Sequence, residues 1–331
     1  QGLNFVMTPA RVLYLIRYQG PQWFEPLTYF GNNTLRDVYN YEPVQADWKP
    51  EYEKLLLGVQ ASMWTEFCYN ADDVMYMLFP RLAALAEVAW SQKEKKNWTD
   101  FQQGLDNYLA HLNKKDVPYA SSMYNIQHTV VPEKGKLCVK LDCERTDVEI
   151  RYTLDGRVPD MYSSVYTMPL KLDAGTVVKC ASFVKDMRKG EILTLPLLNN
   201  KATGKHVLSK APMAYLLTNG MRGSLRQSDF EWCTWDNLNS ASFTVDLQQT
   251  ESVQQVLLGC LTNYGMAVHK PKRVIVEVSK DNRTFVQVGQ KEFSETEIFR
   301  DGNYVEDVEF TFKARKVRYV RVTAEGFGSC P

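Results

Sequence analysis

The spacing of apolar residues in this chain changes once, near residue 120, and the change rules out a single uniform fold. Before it, short apolar runs alternate with stretches of helical spacing. After it, residues alternate with period two, and no helical period of useful length appears. With 331 residues the chain has room for two or three cores.

Up to about residue 120, "LNFVMT" and "LLLGVQASMW" read as short buried strands. A helix is predicted from about Asp72 to Ser91, with Leu78, Leu82, Leu85, Ala86 and Ala89 at helical spacing. Asp72 or Asp73 is its expected cap, and Pro80 should kink it or cut it short. A second helix is expected to begin near Thr99, with Phe101, Leu105, Tyr108, Leu109 and Leu112 along one face. Strand, long loop, strand and helix is the pattern at the end of an α/β barrel, and two strands alone cannot close one. Between about 121 and 212, "DVEIRYTLDGRVPD" and "TVVKCASFV" predict a small β-sandwich, with "SKAPM" as the connector that follows. From 213 to 331, "SFTVDL", "QQVLLGCL", "RVIVEVS", "TFVQV", "DVEFTF" and "KVRYVRVTA" predict a second sandwich of jelly-roll type. The expected fold is therefore multidomain: the C-terminal part of a (β/α)8 barrel, then two β-sandwiches. Opening on Gln1 inside a strand-like run, and stopping at "GFGSCP" straight after a strand, the sequence reads as a piece of a longer chain.

Lysine plus arginine and aspartate plus glutamate each total 39, which argues against a nucleic-acid or basic membrane surface. No apolar run approaches the ~18 residues of a membrane helix. The seven cysteines and four histidines are scattered without ligand spacing, so neither a metal nor a cofactor is expected. Aromatics are plentiful, as in sugar-binding clefts. Within "VQASMWTEF", strand alternation puts Gln60, Ser62, Trp64 and Glu66 on one face, where the strand runs out. An indole stacks on the apolar face of a pyranose, and a carboxylate accepts hydrogen bonds from its hydroxyls. A core tryptophan beside a surface glutamate is the alternative for such a pair taken alone.

"LLLGVQASMWTEF" followed by "VMYMLFPRLAALAEVAWS" resembles the last barrel strand and helix of glycoside hydrolase family 20, the β-N-acetylhexosaminidases. The spacing of Trp64, Glu66, Pro80, Arg81, Glu87 and Trp90 carries that resemblance, and "NFVMTPARVLYLIRYQG" resembles the preceding strand and loop. "YTLDGRVPD" resembles the chitobiase-type C-terminal domain. "LTNGMRGSLRQSDFEW", "FTVDL" and "VIVEVSKDNRTFVQV" resemble the factor V/VIII C-type, or discoidin, domain. The resemblance implies an exported exo-hydrolase, periplasmic or on a bacterial surface, acting on glycans that end in an N-acetylhexosamine. It implies retention through an oxazolinium intermediate, the substrate-assisted exception to the two-carboxylate scheme. Tyr14 would hold the 2-acetamido group, while Trp64 and Glu66 bind the sugar.

Where the family reads Tyr-x-Asp, this chain has Tyr14, Leu15 and Ile16, followed by Arg17. That raises a modified sugar, with an anionic substituent on Arg17 set against an ordinary surface ion pair. The family's acid/base pair is an Asp-Glu dipeptide, and none occurs here; this piece alone is expected to hydrolyse nothing. Glu25 and Glu42 lie in a loop that either lines the cleft or is solvated, and Trp23 in the same loop is a candidate sugar subsite. Phe230, Trp232 and Trp235 are candidate glycan platforms, or else core residues of the last sandwich. The rival function is a non-catalytic carbohydrate-binding or adhesion protein with a degenerate barrel.

Overall fold

The computed structural model describes residues 2–227, 229, 231–235 and 240–326. The chain forms three successive units, each with its own apolar cluster.

The first unit holds two parallel strands, Phe5–Met7 and Leu56–Val59. Both read as buried in the sequence, yet Val6 is 43% and Leu57 68% exposed. Among the described residues each strand pairs only with the other, so a face that a complete parallel sheet would cover is open. The predicted helix over 72–91 is two helices, Ala71–Leu78 and Arg81–Trp90. Pro80 divides them, because its ring lacks an N–H and crowds the preceding turn. The cap is Asn70 rather than either aspartate: its side-chain oxygen accepts from the Asp73 N–H at 3.0 Å. Asp73 instead reaches back to the Tyr69 N–H at 2.8 Å. The helix Trp98–Lys114 buries Leu105, Leu109 and Leu112 against Leu13, Leu15, Leu35 and Val38. Burying each such side chain stabilises the fold by roughly 1.5–3 kcal/mol.

The second unit is an antiparallel sandwich. Strands Ile126–Glu133 and Lys136–Cys143 form a hairpin whose turn residues, Lys134 and Gly135, both have positive φ. That matches the twist of a two-residue turn. This three-stranded sheet packs over a five-stranded one through Ile126, Val130, Val139, Val178, Cys180 and Leu195.

In the third unit, "SFTVDL" and "QQVLLGCL" are one strand, Ser240–Asn263, and the last two predicted strands merge into Asn303–Glu325. The paired ladder bends between Asp246 and Glu251, where Gln248 takes φ 69° and donates its N–H to Asp246 Oδ1 at 2.7 Å. The bend brings both halves of the ladder onto one core, so Phe243 and Val245 share it with Val253, Val308 and Phe310. Register explains the alternation seen in the sequence: Phe243, Val322 and Val276 lie side by side across three strands, as do Val245, Val320 and Val278. The sheet begins at His206, upstream of the Ser209–Met213 connector, because His206–Leu208 pairs with Thr244–Asp246.

Candidate functional site

Tyr14 follows a single helical turn, Ala10–Leu13, and leaves it in extended conformation. Its neighbours lock onto the end of the parallel sheet: the Leu15 N–H donates to Ser62 O, and the Ser62 N–H donates to Leu13 O, both at 2.9 Å. Ser62 is two residues from Trp64, so this bridge brings the two aromatics together. Their ring centroids are 6.3 Å apart with planes inclined at 44°. The Trp64 indole is 52% exposed. Glu66 is exposed in the following turn.

The route to this arrangement differs from the one expected. The regular strand ends at Val59, Ser62 forms only an isolated bridge, and Glu66 lies in a turn. Strand alternation therefore does not place Trp64 and Glu66. Two residues beyond Glu66, Cys68 is pushed up from its ordinary range by burial first, then by the charges of Asp73 and Glu66.

Two buried polar side chains fix the Tyr14 segment, and neither was singled out as a site residue in the sequence. Arg81 is fully buried and donates to the carbonyls of Leu15 at 3.0 Å, Arg17 at 3.1 Å, Asn33 at 2.9 Å and Met77 at 2.5 Å. Burial lowers its pKa to about 9, opposed by Glu25, Tyr76 and Glu144, so it is charged at neutral pH. Asn33, also fully buried, donates Nδ2 to the carbonyls of Val12 at 2.6 Å and Tyr14 at 3.4 Å. The available signal was an arginine in register with the buried positions Ala84 and Val88 of an apolar helix.

The remaining candidates sit elsewhere. Ile16 is buried, and its carbonyl accepts the Thr28 hydroxyl at 2.6 Å. Arg17 donates to Phe30 O at 2.5 Å and lies over the Tyr29 and Phe30 rings, in place of the expected carboxylate partner. Glu25 neither lines a cleft nor is solvated: it is buried, accepting from Ser122 Oγ and from the Tyr76 hydroxyl at 3.2 Å. Burial raises its carboxyl above the usual range, against the lowering effect of those bonds. The Glu42 carboxylate accepts from the Val44 N–H of its own turn at 3.4 Å, and its carbonyl accepts from Gln45 Nε2 at 3.0 Å. Trp23 is not in the Tyr14–Trp64 cluster; its ring lies 4.9 Å from His128 at the seam with the second unit. In the third unit, Trp232 donates its indole N–H to Ser224 O at 2.8 Å and packs against Gly223. Trp235 is 36% exposed and stacks on Phe243 at 6.1 Å. Phe230 lies outside the described residues. Among those residues no group of three or more His, Cys, Asp or Glu is placed to hold a metal.

Comparison with known proteins matches residues 1–93 to the family model "Glycosyl hydrolase family 20, catalytic domain". Residues 133–194 match "Chitobiase/beta-hexosaminidase C-terminal domain", and residues 207–330 match "F5/8 type C domain". The three fall in the order that the motifs implied. A beta-hexosaminidase of Porphyromonas gingivalis is 32% identical over 182 residues, which is 51% of this chain and 22% of that protein. A beta-N-acetylhexosaminidase of Cellulomonas fimi is 35% identical over 102 residues, 30% of this chain and 20% of that protein. The chain thus spans about a fifth of the length of these curated relatives. Among solved structures, an exo-β-N-acetylglucosaminidase of Vibrio harveyi in complex with N-acetylglucosamine aligns over 35% of this chain and 18% of its own. The identity there is 34% and the TM-score 0.31.

Proposed function

We propose that this chain, a family 20 catalytic-domain segment followed by chitobiase-type and F5/8 type C modules, is part of an exported, retaining exo-β-N-acetylhexosaminidase. The observation that carries the reading is the pairing of Tyr14 with a half-exposed Trp64 across 6.3 Å, inside the segment that matches the catalytic domain.

In this reading the indole receives the apolar face of a terminal N-acetylhexosamine, and Glu66 accepts hydrogen bonds from its far hydroxyls. The Tyr14 phenol, a neutral donor, holds the acetamido carbonyl in line with the anomeric carbon. The carbonyl oxygen forms a bond to that carbon as the bond to the leaving oxygen breaks, giving an oxazolinium ring that water then opens. The proton for the leaving oxygen comes from an acid in the remainder of the barrel, so these 331 residues alone do not turn over substrate. The open parallel strands, with Val6 and Leu57 exposed, support further barrel strands covering them.

The test is hydrolysis by the full-length protein of aryl N-acetyl-β-glucosaminides bearing zero to three fluorines on the acetyl methyl. A rate that falls with each fluorine supports attack by the acetamido oxygen. Equal rates would sink the mechanism, and sugar binding without turnover would favour the adhesion protein.

A further inference from the structure

We infer that the third unit clamps the sugar-binding segment, with Arg226 as a positioning residue that acts on Tyr14 through the backbone of residues 18–25. This rests on the hexosaminidase reading for its consequence, though not for the clamp itself.

Arg226 lies more than two hundred positions along the chain from the loop it touches. Its Nη1 donates to Gln22 O, its Nη2 donates to Glu25 O at 3.1 Å, and the guanidinium lies over the Tyr18 ring at 5.2 Å. The planar fork of arginine suits two neighbouring carbonyls and a ring face at once, which a lysine ammonium cannot match. The gripped segment is continuous with the site. Arg81 holds the carbonyls of Leu15 and Arg17, Gln19 donates to Tyr76 O at 2.7 Å, and the Glu25 carboxylate is held by Ser122 and Tyr76. From Tyr14 to Glu25 the backbone is therefore restrained from within by Arg81 and from outside by Arg226.

The loop that presents Arg226 is itself built to one shape. Asp229 accepts from the Ser224 N–H and, at 2.9 Å, from the Glu231 N–H. The Arg226 N–H donates to Ser224 Oγ at 3.0 Å, and Asn303 Nδ2 donates to Leu225 O at 2.8 Å. Glu231 then ties the loop to the second unit, 2.8 Å from His128 Nε2, while Asn219 Nδ2 donates to its other oxygen at 2.7 Å. His128 packs on Trp23, which lies in the same gripped loop. All three units thus meet on the segment leading away from Tyr14.

The experiment compares wild-type, Arg226→Ala, Arg226→Lys and Arg222→Ala full-length proteins by amide hydrogen exchange and by steady-state hydrolysis of an aryl N-acetyl-β-glucosaminide. Arg222 is the control, since its guanidinium pairs with Asp307 inside the third unit. Peptides covering residues 14–25 are expected to exchange about tenfold faster in Arg226→Ala and Arg226→Lys and to stay unchanged in Arg222→Ala, because local opening sets the exchange rate. Millimolar methylguanidinium should restore protection to the alanine variant. In hydrolysis, Arg226→Ala is expected to lower kcat several-fold, and to add little in a Tyr14→Phe background if it acts through that residue. Unchanged exchange over 14–25, or a full additional loss in the Tyr14→Phe background, overturns the proposal. A wild-type protein that hydrolyses no N-acetylhexosaminide would remove the glycosidase reading, while the exchange result would still decide the clamp.

Discussion

Two arginines, one in the first unit and one in the third, show how differently one side chain is used. Arg81, sealed in the first unit, spends its donors on four main-chain carbonyls and has no side-chain carboxylate bonded to it among the described residues. Arg321, on the ladder of the third unit, pairs with Glu277 at 2.7 and 2.8 Å on a neighbouring strand and lies over the Phe285 ring. The ladder around Arg321 is held by Val276, Val320 and Val322, so its pair decorates a sheet that apolar burial has already registered. Around Arg81 the backbone is irregular, with the isolated Tyr14–Ser62 bridge and the two-residue strand Arg17–Tyr18 paired to Tyr29–Asn32. There the cation does what a ladder would otherwise do. Trp64, half exposed, is not fixed by burial, and buried hydrogen bonds hold the backbone of the Tyr14 segment beside it.

The sharpest way to break this contrast is Arg81→Met, which keeps volume and orphans buried carbonyls. It is expected to destabilise the first unit by about 4 kcal/mol, since each unsatisfied buried acceptor costs about 1–3 kcal/mol. Urea unfolding followed by hydrogen exchange over residues 12–33 measures it, and a loss below about 1 kcal/mol would mean the carbonyls find other partners. Next is Tyr14→Phe in the full-length protein, expected to lower kcat on the order of a hundredfold, as for loss of one preorganised donor. Kinetics with KM nearly unchanged would support orientation of the acetamido group; loss confined to KM would not. Arg321→Ala should cost about 1 kcal/mol or less, the worth of a partly exposed pair plus a cation–π contact. A thermal shift as large as that of Arg81→Met would erase the distinction between the two arginines.

The smallest effect concerns pH. Burial raises the Glu25 carboxyl above 4.5, so the folded state takes up a proton before the unfolded one as pH falls. Relative to Glu25→Gln, the wild type should therefore gain stability as pH drops from neutral towards 4.5, and level off below it. Paired denaturation curves between pH 7 and 4 check the sign. A wild type that loses ground to the glutamine variant over that window would contradict burial as the dominant cause.

Much of the architecture is legible in particular residues. Val274, Val276 and Val278 alternate, and Leu105, Leu109 and Leu112 recur at helical spacing, because each pattern is set by neighbours a few positions apart. The bend at Gln248 was not legible. The sequence reads as two separate strands on either side of it, and they share a single ladder only once Asn303–Glu325 lies alongside. Glu25 was misjudged for a related reason: a carboxylate in a proline-flanked loop reads as solvated until Ser122 and Tyr76, both far along the chain, close over it.

The sequence by itself determined the order of the three units, the type of most of their elements, and the Trp64-x-Glu66 and Tyr14 candidates. The elements follow from local periodicity, while the unit order and the site candidates follow from the resemblance of short motifs to known families. Only the tertiary structure decided that Tyr14 meets Trp64 through the Ser62 bridge, that Arg81 holds the backbone behind them, and that Arg226 reaches across to Gln22 and Glu25. Such contacts depend on loop closures over tens to hundreds of residues, and local propensity carries no record of them.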